Sequence, residues 1–161
     1  MKKLTFMLLL VCFSSSILLS QTVVETSAKK NSIYLDLGGY AVWYSLNYEH
    51  KISLATNHRF ALGGGISIIP PDEDANFLIG ASVNYLYGKV HNLEVGISPS
   101  YDLTGKEFLF APRIGYRYEA PKGFLFRIGL SPVYGNFFTN DASDNQKEFV
   151  PWGYISFGYS F

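Results

Sequence analysis

The amino-acid sequence reads as an all-β protein, an eight-stranded antiparallel up-and-down barrel. Three observations lead there. From Ser32 to Phe161, large apolar residues alternate with small or polar ones at a period of two, with few breaks. That is the pattern of strands with two unlike faces. Aromatics make up 17% of the chain and there are 15 glycines, a composition that favours strands and tight turns over helices. No amphipathic helical period appears beyond the first twenty residues.

Those first residues stand apart. Lys2 and Lys3 precede the apolar run LTFMLLLVCF, and SSSILLS follows it. A basic start, a short apolar stretch and a small-residue end describe a secretory signal peptide, here residues 1–20 with Gln21 first in the mature chain. The run is short for a membrane-spanning helix and three serines interrupt it. The sole cysteine, Cys12, lies inside it. Val11 before it is larger than a lipoprotein site uses, so the mature chain is expected to carry no thiol into an oxidising compartment. Residues 21–31 are polar without a period and read as a short periplasmic N-terminal tail. The barrel then occupies 32–161.

The first strand sets Ile33, Leu35 and Leu37 against Tyr34, Asp36 and Gly38. The second sets Val42, Tyr44, Leu46 and Tyr48 against Trp43, Ser45, Asn47 and Glu49. In the third, Phe60, Leu62, Ile66 and Ile68 oppose Arg59, Ala61, Gly63, Gly65 and Ser67. The fourth opposes Phe77, Ile79, Val83 and Tyr85 to Leu78, Gly80, Ser82 and Asn84. The fifth places Leu93, Val95, Ile97 and Tyr101 against Glu94, Gly96, Ser98 and Ser100. The sixth places Phe108, Phe110, Ile114 and Tyr116 against Ala111, Arg113, Gly115 and Arg117. In the seventh, Phe124, Phe126, Ile128 and Leu130 oppose Leu125, Arg127, Gly129 and Ser131. The last runs Ile155, Phe157, Tyr159, Phe161 against Tyr154, Ser156, Gly158 and Ser160. Connectors alternate as well. SLATNH, GKVHN and EAPKG are short, whereas PPDEDA, DLTGKE and GNFFTNDASDNQKE are acidic or longer, and a tight turn around Gly39–Ala41 follows the first strand. Pro99, Pro112, Pro132 and Pro151 fall on the apolar face, where bulges or early strand ends are expected because proline cannot donate to a ladder.

The two faces decide the surroundings. The small, polar face suits the narrow interior of an eight-strand barrel, and the apolar face suits lipid. At 16% charged, roughly forty apolar-face positions would by chance hold about six charges, each costing up to ~2–4 kcal/mol at bilayer midplane. That face holds no Asp, Glu, Lys or Arg. The opposite face holds Asp36, Glu49, Arg59, Glu94, Arg113, Arg117 and Arg127, which are expected to pair inside the barrel and close it to free flow. Aromatics gather near both strand ends, as interfacial belts do. A transmembrane barrel in the outer membrane, in contact with its lipid, is therefore expected.

The closing stretch GYISFGYSF resembles the C-terminal signature of Gram-negative outer-membrane β-barrels, with Ile155, Phe157, Tyr159 and Phe161 matching its alternating positions. The layout of the mature chain is similar to that of small OmpA/OmpX-type eight-stranded proteins. The resemblance implies that the barrel-assembly machinery reads the terminal motif during biogenesis.

No catalytic, cofactor or metal site is expected. Some small outer-membrane barrels modify lipid A with a His beside a Ser near the outer leaflet, but His50, His58 and His91 all fall by the short turns. The acidic stretches 70–75 and 140–145 lack the spaced ligands of a calcium loop, and the glycines at 63–65 lack the Lys and the helix of a phosphate loop. The formal net charge is zero, which offers nothing to nucleic acid. The sequence thus points to a non-enzymatic structural or surface-interaction barrel. Its alternatives are a lipid A-modifying enzyme and a soluble periplasmic barrel with an apolar ligand.

Overall fold

A computed structural model describes residues 29–69, 76–135 and 148–161. The expected signal peptide, Cys12, most of the N-terminal tail and the acidic stretches 70–75 and 140–145 lie outside these residues. The strands are β1 Asn31–Gly38, β2 Tyr44–Ala55, β3 His58–Ile69, β4 Asn76–Gly88, β5 His91–Asp102, β6 Glu107–Glu119, β7 Phe124–Leu130, β8 Val133–Gly135, β9 Glu148–Val150 and β10 Gly153–Ser160. Every pairing is antiparallel; β1 to β7 pair in chain order, β8 pairs with β6 and β9, and β7 pairs with β10. β10 returns to pair with β1 over seven registered positions, from Ser32↔Ser160 to Gly38↔Tyr154. The sheet is thereby closed. β7 with β8, and β9 with β10, each form one interrupted wall, so ten strands make eight walls.

Two walls break where prolines stand. The pairs Ile114↔Leu130 and Phe110↔Tyr134 keep a single register, which sets Pro112 opposite Pro132. Leu130↔Gly153 and Val133↔Val150 do the same, which sets Pro132 opposite Pro151. Three adjoining walls thus carry a residue without an N–H at one height. A bond from Ser131 N to Trp152 O at 2.9 Å holds the margin of this seam. Pro99 and Pro112, by contrast, sit within β5 and β6 rather than ending them. The β4–β5 pairing steps from Val83↔Ile97 to Gly80↔Ser100 across Pro99.

Burial alternates along the walls as the period of two requires. Ile33, Leu35 and Leu37 are exposed while Tyr34 and Asp36 are buried, and the same holds around the ring. The exception is at the start of the second wall. Val42 was expected outside and Trp43 inside; Val42 is 3% exposed and Trp43 61%. The cause is local. Gly38, Gly39 and Val42 have φ of 87°, 69° and 66°, so the chain does not run extended into β2. Instead Gly39–Ala41 form a 3-10 turn folded into the barrel. A β-branched residue in the left-handed region costs on the order of 1–3 kcal/mol. Packing and hydrogen bonds offset it. Tyr40, Ala41 and Val42 form one buried apolar cluster with Leu78, Leu109, Ala111 and Val133. Tyr40 Oη donates to Asn47 Oδ1 at 3.0 Å, and Trp152 Nε1 donates to Val42 O at 3.0 Å. The loop end of the barrel, opposite the chain termini, is therefore closed by the protein's own first connection.

Interior glycines make room for interior tyrosines. A Cβ on Gly80 would lie 2.5 Å from the Tyr40 ring. A Cβ on Gly115 would lie 2.5 Å from Tyr154 Oη and 2.5 Å from the Ile128 carbonyl oxygen. Gly115→Val should therefore destabilise the barrel by about 1–3 kcal/mol through overpacking, read as a lowered urea midpoint. An unchanged midpoint would show that the walls yield freely there.

Candidate functional site: the ionic interior

Between the apolar cluster and the turn end the interior is charged, because inward positions of β1, β2, β3, β5, β6 and β7 carry ionisable groups to the barrel axis. All seven charges expected inside are buried. Asp36 accepts from Arg113 Nη2 at 2.8 Å and from the Ser156 hydroxyl. Glu94 accepts from Arg127 through both oxygens, with Nε at 3.0 Å. It also lies 3.9 Å from Arg113 Nη1 and 3.8 Å from Arg117 Nη1. Arg117 grips Glu49 with two bonds, Nη1 donating at 3.0 Å. Tyrosine faces complete the cage: the guanidinium of Arg113 lies 4.2 Å from the Tyr154 ring centroid, and that of Arg127 lies 4.3 Å from the Tyr34 centroid.

Two members of the network are absent from the expected set. Glu119 takes Lys51 Nζ at 2.9 Å, Arg59 Nη1 at 2.6 Å and Arg117 Nη2 at 2.6 Å. The period-two pattern ends the second strand at Glu49, short of Lys51, and places Glu119 in the connector EAPKG. The signal lay in parity: 51 follows 49, and 119 follows 117, on the same face. β2 and β6 run 12 and 13 residues, longer than the alternation alone suggested, and so carry both side chains inside. Arg59 also donates to Asn92 Oδ1 at 2.6 Å.

The arrangement is a lock. Each carboxylate meets a guanidinium, and Glu94 links Arg113, Arg117 and Arg127 in one chain of charge from Asp36 down to Glu119. Desolvating such groups costs several kcal/mol each, which only close multivalent pairing offsets.

The three histidines stand outside this network, at the turn end. His58 Nδ1 is 2.5 Å from Tyr85 Oη, and His91 Nδ1 is 2.6 Å from Tyr116 Oη. His50 Nδ1 is 2.8 Å from Asn31 Oδ1. The terminal-motif residues Ile155, Phe157 and Tyr159 pair with Leu37, Leu35 and Ile33 on the closing seam. Phe161 is itself tied down, its N–H donating to Asn31 O at 2.8 Å and its O accepting from Asn31 N at 3.0 Å.

The chain matches no protein-family model, no curated protein and no solved structure. Its class rests on its architecture, an all-antiparallel, eight-stranded closed β-barrel.

Glu94→Ala should cost about 3–5 kcal/mol, because it strips a carboxylate from buried guanidinium groups. Glu94→Ala with Arg127→Met should recover part of that loss. Denaturant unfolding of the single and double variants checks both; a single variant as stable as the parent would show that Glu94 does not hold the network.

Proposed function

We propose that the protein is a small, non-enzymatic outer-membrane β-barrel, exported by a cleaved signal peptide, with a structural or surface-interaction role and an interior closed by side chains. The observation that carries this reading is the inversion of its faces. An apolar side chain stands exposed at mid-height on every wall: Leu35, Leu46, Ile66, Ile79, Val95, Ile114, Ile128 and Phe157. Soluble monomers rarely expose apolar patches beyond a few hundred Å², whereas this band encircles the molecule. Exposed Tyr48, Tyr87, Tyr116 and Tyr159 border the band toward the turn end, and Tyr44, Tyr101, Phe108 and Tyr134 toward the loop end. Amphipathic rings belong at those two depths of a bilayer.

A soluble carrier of apolar ligands needs the reverse, a polar wall around an apolar hollow. A lipid-modifying enzyme needs a histidine beside a nucleophilic hydroxyl near the outer leaflet; here the histidines bond tyrosine and asparagine at the turn end. The resemblance of the last strand to the assembly signature supports a role for Phe161, Tyr159, Phe157 and Ile155 in recognition by the assembly machinery.

Arg127 and Ile128 test the membrane reading on neighbouring residues. A cysteine at 128 should react with lipid-soluble probes in reconstituted protein and a cysteine at 127 should not. Ile128→Arg should destabilise by ~2–4 kcal/mol, and Ile128→Leu should do little. Reversed labelling would sink the reading. Deleting Phe161 should lower the amount of assembled, heat-modifiable protein in the outer membrane without lowering synthesis; normal assembly would remove the terminal motif from the argument.

A further inference from the structure

We infer that the outer wall at the turn end is a binding girdle for anionic phospholipid headgroups, an inference that rests on the membrane reading above. The starting observation is a contrast in pairing. Every interior cation described above has a carboxylate partner. Lys29, Lys30, Lys89 and Lys122, all at the turn end, have none among the described residues. Glu119, at the strand end before the turn that carries Lys122, is turned inward and taken by Lys51, Arg59 and Arg117. The opposite end has the opposite sign in sequence, with Asp72, Glu73, Asp74, Asp141 and Asp144 in its connections. The connections of the two ends thus differ in charge along the sequence.

The second observation is where the basic groups stand. His58, His91 and Lys29 stand against tyrosines of the wall rather than in the mouth. His58 is registered with Tyr87 and bonds Tyr85; His91 is registered with Tyr118 and bonds Tyr116. Both rings also pack on the registered tyrosine, at 5.1 and 5.2 Å between centroids. The same His–Tyr–Tyr unit therefore recurs two walls apart, on the outward face. The Lys29 ammonium lies 4.9 Å from the centroid of outward-facing Tyr159, beside the turn that carries Lys122. The Lys29 ammonium is therefore held at the level of the tyrosine belt, where a phosphodiester would sit. Tyrosine and histidine N–H and O–H groups add hydrogen-bond donors, and the lysines add charge. A basic residue at an anionic membrane surface contributes roughly fivefold in binding. Lys29, Lys89 and Lys122 together are therefore expected to enrich phosphatidylglycerol over phosphatidylcholine more than tenfold at low ionic strength.

The test uses the full-length mature protein. Flotation with phosphatidylcholine vesicles first reports insertion. Native mass spectrometry then counts lipids retained from equimolar phosphatidylglycerol and phosphatidylcholine. The parent should retain phosphatidylglycerol more than tenfold over phosphatidylcholine. High salt should collapse that preference. Lys29→Gln with Lys89→Gln and Lys122→Gln should bring it near parity while leaving heat-modifiability intact, and Lys106→Gln at the loop end should leave it unchanged. Equal retention by the parent, or an unchanged preference in the triple variant, overturns the girdle alone. Salt-sensitive sedimentation with purified cell-wall polymer in place of any lipid preference also overturns it, in favour of a polymer partner. Failure to float with any vesicle sinks the membrane reading and the girdle together.

Discussion

Everything in this structure depends on the closed hydrogen-bonded ladder between β1 and β10. Once β1 and β10 pair, the ring is closed below the short β9, and each wall residue has only two destinations, the axis or the outside. Parity then becomes fate. Arg127 has nowhere to go but the interior, and Ile128 nowhere but the surface. The eight-wall circumference also fixes how little space the axis offers. That space must be filled, and filled by groups that satisfy one another.

The interior answers in two ways. Toward the loop end, the Gly39–Ala41 turn is pushed into the barrel and packed with Leu78, Leu109 and Val133, at the cost of a left-handed Val42. Toward the turn end, buried charges pair across the axis, and glycines leave room for Tyr34 and Tyr154 to lie over guanidinium groups. Removing one member of a paired set costs more than the set as a whole contributes. The ionic half therefore specifies one arrangement more than it supplies net stability, whereas the apolar half supplies stability by burial.

Much of this was legible in the sequence, for a physical reason: a two-sided strand writes its geometry into every second letter. The eight walls, their order and the inward placement of Asp36, Glu49, Arg59, Glu94, Arg113, Arg117 and Arg127 follow from that period. What failed to show follows from its limits. Val42 and Trp43 continue the alternation on paper, but three positive φ angles around them reset its phase. Lys51 and Glu119 sit where a strand end and a turn read alike. The partner of each charge was not legible either. Glu94 reaches Arg113, Arg117 and Arg127 from β5 to β6 and β7, and spacing along one strand carries no information about which side chains meet across an axis.

The seam of Pro112, Pro132 and Pro151 has a consequence for how the molecule comes apart. Cooperativity in a sheet travels through its rungs, and here three adjoining tracks lack an amide donor at one height. Above that line, β8 and β9 are short and joined to the ring mainly through the single bridge Phe110↔Tyr134. Below it the rungs are continuous. The sheet pairing thus divides the barrel into a small crown with few rungs and a lower ring with continuous rungs, the arrangement in which local opening is expected to start at the crown. Exchange of amide hydrogens is expected to divide at the prolines, faster in 133–135 and 148–150 than in 124–130 and 153–160.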